Sequence, residues 1–174
     1  MTEPQWHESY EIILKELADE AQISAFVHSR SHELFSMRSN RYELPITIFS
    51  AVAGFGNFLS SHFKDQQEAI IVCVGVLSVF TAILSQQARK LKLNELSESH
   101  RIASISWGKF YNDIRIQLMR QRSEREAIHE YIRNITNEYQ RLIEITPLAP
   151  KSIRQRIKRK RKKFQKKGMS IPFL

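Results

Sequence analysis

LPITIFSAVAGFGNFLSS (44–61) and AIIVCVGVLSVFTAILSQQA (69–88) are two uncharged, mostly apolar runs only seven residues apart, and their reading decides the fold. As helix, the first covers about 27 Å and the second about 30 Å, close to the hydrocarbon thickness of a bilayer. The connector HFKDQQE (62–68) has room only for a tight turn, so two spanning helices joined by it must run antiparallel. The competing reading is a pair of buried core helices in a soluble protein, which Thr47, Ser50, Asn57, Ser60 and Ser61 in the first run keep open. Against it, no other segment of the chain is apolar enough to bury them. The expected fold is all-α, built on an antiparallel two-helix transmembrane hairpin spanning 44–88, with spans at 44–61 and 69–88 and a turn at 62–68.

The average composition hides this hairpin. Mean hydropathy is negative over 174 residues, because everything outside the two runs is polar and helix-prone. Five glycines and five prolines leave little material for the turns of an all-β fold. Cys73, the single cysteine, lies inside the second run, so there is neither a disulfide framework nor a metal-type cysteine spacing.

Basic residues flank the runs unevenly. Arg30, Arg38 and Arg41 precede the first, Arg89, Lys90, Lys92 and Arg101 follow the second, and the turn holds only Lys64. By the positive-inside bias both termini are expected to be cytosolic, with the turn on the opposite side. The acidic N-terminus lacks the pattern of a cleavable signal, so the first span is expected to serve as its own insertion signal.

Two cytosolic arms and a tail are expected outside the membrane. The N-terminal arm, 1–43, carries Trp6, Tyr10, Ile13, Leu17, Val27 and Leu34 at spacings compatible with one helix face. A break is expected at 40–43, with Pro45 in the first turn of a new helix, where its missing N–H would have no partner anyway. In the C-terminal arm, 89–147, alternate steps of four and three place Trp107, Tyr111, Ile114, Leu118, Ile128, Ile132, Ile135, Tyr139 and Leu142 on one seam. That seam has the period of helix-on-helix packing, against the N-terminal arm or a second copy of the chain. Gln121 and Arg125 interrupt it midway, as a register device or a solvated bend, and Pro147 and Pro150 end the helix.

The tail, 148–174, is an electrostatic object of its own. Eleven of the seventeen residues 151–167 are Lys or Arg, among them Arg154, Arg156, Lys158, Arg159, Lys160, Arg161, Lys162 and Lys163, and none is acidic. The remaining 1–150 hold 16 basic and 18 acidic side chains, so basicity belongs to the tail alone. A disordered, solvated end is the plain expectation. Contact with anionic lipid is the sharper alternative, and nucleic acid a weaker one.

Chemistry is sparse. There is no Gly-rich phosphate loop, nucleophile elbow or paired carboxylate in an apolar setting, so no catalytic residue, cofactor or metal is assigned and an enzyme is not expected. His28 and His32 would share a helix face at a spacing that can bind zinc, and His100 could approach them if the arms pack together. No further ligand completes such a site, and polar histidines satisfied by the fold are the default. Within the spans, Thr47, Ser50, Gly54, Asn57 and Ser61, and likewise Gly75, Ser78, Ala82 and Ser85, form small or polar faces. Close helix packing is the simpler use for them, and pore lining after oligomerisation the alternative.

LPITIFSAVAGFGNF (44–58), LNELSESHRIA (93–103) with WGKF (107–110), and RLIEITP (141–147) together resemble the SLATT-type (SMODS and SLOG-associating) two-transmembrane proteins encoded by nucleocytoplasmic large DNA viruses. The resemblance covers about 6–150, with Glu98, His100, Arg101, Trp107 and Lys109 at the motif positions after the second span. The run FSAVAG (49–54) departs from the hydroxyl-rich form of the pattern, which weakens polar lining, and the basic tail is not characteristic of it. The resemblance implies a homo-oligomeric membrane effector that perturbs or permeabilises the bilayer. The alternative is a structural or scaffold protein of a viral particle or virus-modified membrane, the membrane being a host membrane or an internal viral one.

Overall fold

The computed structural model describes residues 6–166, with side chains through residue 160, and every regular element among them is helical. The elements are α1 (Glu8–Ser60), α2 (Gln67–Leu91), α3 (Leu93–Met119), α4 (Ile128–Ile145) and α5 (Lys151–Lys166). Short 3-10 turns at Lys64–Gln66 and Arg122–Glu124 link α1 to α2 and α3 to α4. The chain divides into two compact units, one of Glu33–Ser97 and the other of the residues up to His32 and from Glu98 onward.

In the second of these units, the start of α1 packs beside α3 and α4. Ser104 Oγ donates to the Ala25 carbonyl at 2.9 Å, and the Nδ1 atoms of His28 and His100 lie 2.8 Å apart, so α1 and α3 run antiparallel. Trp6 meets Tyr131 with ring centroids 5.8 Å apart, and the bonds from Trp107 to Thr146 and from Tyr131 to Asp113 set α4 antiparallel to α3, so α4 runs in the direction of α1. The core they share contains Leu14, Ala18 and Ala21 of α1, Trp107, Phe110 and Ile114 of α3, and Ile128, Ile135 and Leu142 of α4. Ala18 and Ala21 are both buried in it. The burial face of the N-terminal arm therefore passes through Leu14, Ala18 and Ala21 rather than Ile13, which is 57% exposed.

Three boundaries differ from those expected. There is no break at 40–43, because α1 runs unbroken through Pro45. The Pro45 ring removes one donor, leaving the Arg41 carbonyl without its usual partner four residues on, a loss one position of a long helix can absorb. Thr47 Oγ1 donates to the Glu43 carbonyl at 2.9 Å in the same turn.

Nor is 89–147 a single helix. Lys92 takes a left-handed conformation (φ 46°) between α2 and α3, and the chain reverses between Met119 and Ile128. The seam is a fold-back, in which α3 and α4 supply opposite walls of one core.

The tail is not disordered over its described length, since Lys151–Lys166 forms α5. Pro147 and Pro150 bar α4 from continuing. The Pro150 carbonyl then accepts bonds from the Ile153 and Arg154 N–H groups, both at 3.1 Å, and Ile157 is buried. Residues 167–174, the end of the expected tail, lie outside the described residues.

Candidate functional site

Two features of the sequence carry functional expectations, the apolar pair of runs and the motif around His100. The runs belong to the unit Glu33–Ser97. In it, a Cβ added to Gly56 would lie 2.6 Å from Val74 Cγ2, and Phe49 meets Phe80 with centroids 6.1 Å apart. Near the other end Asn94 Nδ2 donates to Glu43 Oε1 at 2.5 Å, and Ser39 Oγ donates to the same oxygen at 3.1 Å. The pairings 56 with 74 and 49 with 80 descend α1 while climbing α2, and 43 with 94 continues the same order onto the first turn of α3.

The close approach is made by Gly56, with buried Ala53 on the same face, and not by the small-residue stripe read from the sequence. Thr47, Ser50, Gly54, Asn57, Ser61, Gly75, Ser78 and Ala82 are exposed and Ser85 is half-buried. A Cβ on Gly54 or Gly75 would meet nothing within 4 Å. Ser50, Ala53, Ser78, Thr81, Ala82 and Ser85 line a shallow cleft along the helix pair. Close packing is therefore not what most of this stripe does within one chain.

Most of the hydroxyls are bonded inside their own helices. Thr47 donates to the Glu43 carbonyl, Ser78 to Val74 and Thr81 to Leu77, each at 2.8–2.9 Å, while Ser60 and Ser61 bond carbonyls three residues back. A hydroxyl bonded in this way loses little when water is removed from around it.

The rest of the surface of the pair is apolar. Leu44, Ile48, Val52, Phe55 and Phe58 of α1 and Ile71, Val72, Val76, Val79, Phe80 and Ile83 of α2 are each at least half exposed. Within Lys64–Met119 one window is long and apolar enough to cross a membrane by length and composition, and only 6% of it is buried. A core helix of a soluble protein would be mostly buried. In water a contiguous apolar surface of this extent is an aggregation site.

The motif around His100 lies in the other unit. Arg101 grips Glu98 with two bonds of 2.8 and 2.6 Å on an exposed face, and this hydrogen bond lowers the Glu98 pKa. Trp107 is buried and donates from Nε1 to Thr146 Oγ1 at 3.1 Å, while Lys109 is exposed. The packing seam is consumed within the chain: Trp107, Ile114, Ile128, Ile135 and Leu142 are buried, and Tyr111, Leu118, Ile132 and Tyr139 pack against them. Its occupant is the N-terminal arm, so the seam is not left for a second copy.

His100 is buried against His28, the rings stacked with centroids 5.0 Å apart. One Nδ1–H donates to the other Nδ1, an arrangement that requires at least one neutral ring. Burial and the neighbouring His100 push the His28 pKa down from 6.5 to about 4, and burial with the charge of His32 lowers that of His100. No group of three or more His, Cys, Asp or Glu able to hold a metal ion occurs among the described residues.

The pair sets a pH dependence. A His whose folded pKa lies below its unfolded value adds no penalty above 6.5 and costs stability as pH falls from there towards 4, because the unfolded chain takes up the proton first. The unit holding both tryptophans should lose about 2 kcal/mol over that range. Urea unfolding followed by tryptophan fluorescence at pH 7 and pH 4.5 measures it. The variant His28→Leu should show a smaller difference between the two pH values, and an undiminished one would place the acid sensitivity elsewhere.

Sequence reasoning missed two parts of this architecture. Gly56 was passed over because its neighbour Gly54 fits a small-residue spacing better. Arg125, noted only as an interruption of the seam, is a buried clamp: it donates to Glu11 Oε1 and to the carbonyls of Leu118 and Arg120 at 2.6, 2.9 and 3.0 Å. Compared with known proteins, the chain matches no family model, no curated protein and no solved structure.

Proposed function

We propose that the chain is a two-pass integral membrane protein of SLATT type, whose hairpin of α2 and the second half of α1 crosses the bilayer with both termini cytosolic and assembles into an oligomer that perturbs or permeabilises the membrane. The observation that supports it best is the apolar outer surface of the hairpin, from Leu44 to Phe58 on one helix and Ile71 to Ile83 on the other. Lipid is the medium in which such a surface is stable, and internally bonded hydroxyls tolerate it. The seven basic flanking residues against Lys64 alone in the turn support the orientation.

Oligomerisation is the step that would make a pore. Two helices enclose no channel, and the stripe of Ser50, Ser78, Ala82 and Ser85 is open within one chain and available to line one or to pack against another copy. The second reading, a scaffold protein of a viral or virus-modified membrane, uses the same hairpin without conduction. Its support is that the Ser78 and Thr81 hydroxyls already have carbonyl partners within α2 and present fewer free polar groups to a lumen.

Ion flux separates the two. Purified chain reconstituted in liposomes loaded with a self-quenched dye or a potassium gradient should release either, and Ser78→Leu should reduce the release while leaving incorporation intact. Full incorporation without release would reject the pore and leave the scaffold.

A further inference from the structure

The cations of α5 form a dense cluster with no acidic residue among them. Elsewhere Arg101 is held by Glu98, Arg122 and Arg125 by Glu11, Arg141 by Glu138, and Lys92 by Glu95. Among the described residues, none of Lys151, Arg154, Arg156, Lys158, Arg159 and Lys160 makes an ion pair. Arg154 is half-buried, and its Nε has no hydrogen-bond partner. The sequence supplies none nearby, since 145–174 contains no Asp or Glu.

Such a helix opposes its own formation. Arg154 with Lys158, and Arg156 with Lys160, are like charges four residues apart, a spacing that destabilises a helix. Local features nevertheless fold it: the Pro150 carbonyl bonds its first turn, and Ile157 is only 8% exposed. Lys151, Arg156, Lys158, Arg159 and Lys160 remain exposed. The outcome is a preformed cationic ridge whose counter-charge must come from outside the chain.

We propose that α5 is a docking surface for the phosphate-bearing face of an anionic phospholipid membrane, gripped by Arg156, Lys158, Arg159 and Lys160. A flat, dense array of phosphates suits several exposed cations along one helix, and each adds to the attraction within a Debye length of the surface. Nucleic acid offers the same phosphate chemistry. The remaining 1–150 are slightly acidic, with 16 basic against 18 acidic residues, which favours a single point of contact on a membrane face over a charged path along a strand. The inference goes beyond the bilayer-spanning reading and does not depend on it, because α5 would recruit an anionic surface whether or not the hairpin crosses one.

The test separates the two. The full chain, held in nanodiscs of neutral phosphatidylcholine, is sedimented with vesicles of phosphatidylcholine alone or mixed with phosphatidylserine. It should co-sediment only with the anionic vesicles and be released near 1 M salt, where the Debye length is about 3 Å. The triple variant Arg156→Glu, Lys158→Glu, Arg159→Glu should bind at least tenfold more weakly. These side chains are exposed, so unchanged circular dichroism is expected and checks the fold.

Equal binding to neutral vesicles, no binding to either kind, or an undiminished triple variant would overturn the proposal. So would displacement by an oligonucleotide that binds more tightly than the anionic vesicles, which would assign the ridge to nucleic acid. If the chain proves water-soluble and does not enter nanodiscs, the bilayer-spanning reading fails, and the same sedimentation of the free chain still decides the role of α5.

Discussion

Replacing Arg125 by Ala is expected to destabilise the unit built from the start of α1, α3 and α4 by about 3 kcal/mol, the size of effect seen when one partner of a buried ion pair is removed. The guanidinium side chain is 7% exposed, and all three of its nitrogens are used: Nη1 on Glu11 Oε1, Nη2 on the Leu118 carbonyl and Nε on the Arg120 carbonyl. Two of these acceptors lie at the C-terminal end of α3, where carbonyls have no partner within the helix and positive charge is favoured. The Cζ atom also sits 4.8 Å from the centre of the Trp6 ring. Truncation to Ala therefore strands two helix-end carbonyls and uncovers an indole, besides leaving Glu11 with Arg122 alone.

Comparison variants separate these contributions. Arg125→Lys keeps the charge but loses the fork and should recover only part of the stability. Arg122, whose side chain is 57% exposed, bonds the same carboxylate, and Arg122→Ala should cost no more than about 0.5 kcal/mol. Hydrogen bonds from Arg122 and Arg125 hold the Glu11 pKa down to about 2. Their contribution is present above the ordinary carboxylate value of 4.5 and is lost as pH falls towards 2. Trp6 and Trp107, the only two tryptophans, both lie in this unit, so urea unfolding followed by fluorescence reads it directly. A loss below 1 kcal/mol for Arg125→Ala would show that the clamp is dispensable.

The helical class was legible because it rests on period, which local sequence carries. The seam from Trp107 to Leu142 keeps its spacing across the reversal, so the positions were readable while the reversal was not. Its signal was Gln121 and Arg125. A polar pair in an apolar seam is compatible with a bend or a register device, and only the position of Glu11, over a hundred residues away, gives Arg125 its role. Pro45 misled in the opposite direction, since proline is common at helix starts and a continuous helix through it is the rarer outcome. The tail read as disordered because charge repulsion is visible in composition, whereas the bonding of Pro150 and the burial of Ile157 are properties of the fold.

The functional residues were legible unevenly for the same reason. His100 stood out within a motif, and its meeting with His28 required α1 and α3 to be antiparallel in one register. Glu98 and Arg101, three residues apart, form a surface pair that spacing alone suggests. The small-residue stripe shows the limit of spacing. Gly54 and Gly75 fit the pattern but a side chain there would meet open space, whereas Gly56 faces Val74 closely. In that contact the neighbour is Val74, whose short, stiff side chain leaves little room for a Cβ.

The second large expectation is that 44–61 and 69–88 lie in the bilayer as a hairpin. Its physical basis is the exposed apolar surface of both helices combined with the absence of Asp, Glu, Lys, Arg and His from the two runs. Carbonate extraction should leave the chain in the membrane pellet. Orientation follows from the basic flanks, so the turn at 62–68 should be separated from both termini by the bilayer. The sharpest readout uses a chain in which Cys73, the only cysteine, is replaced by Ser. A single cysteine is then placed at residue 2, 65 or 174, and intact cells expressing the chain in the plasma membrane are treated with a membrane-impermeant maleimide. Asp65→Cys should be labelled without lysis, and Thr2→Cys and Leu174→Cys only after lysis; opposite labelling of the two ends, or equal labelling of all three positions before lysis, would rule out the hairpin.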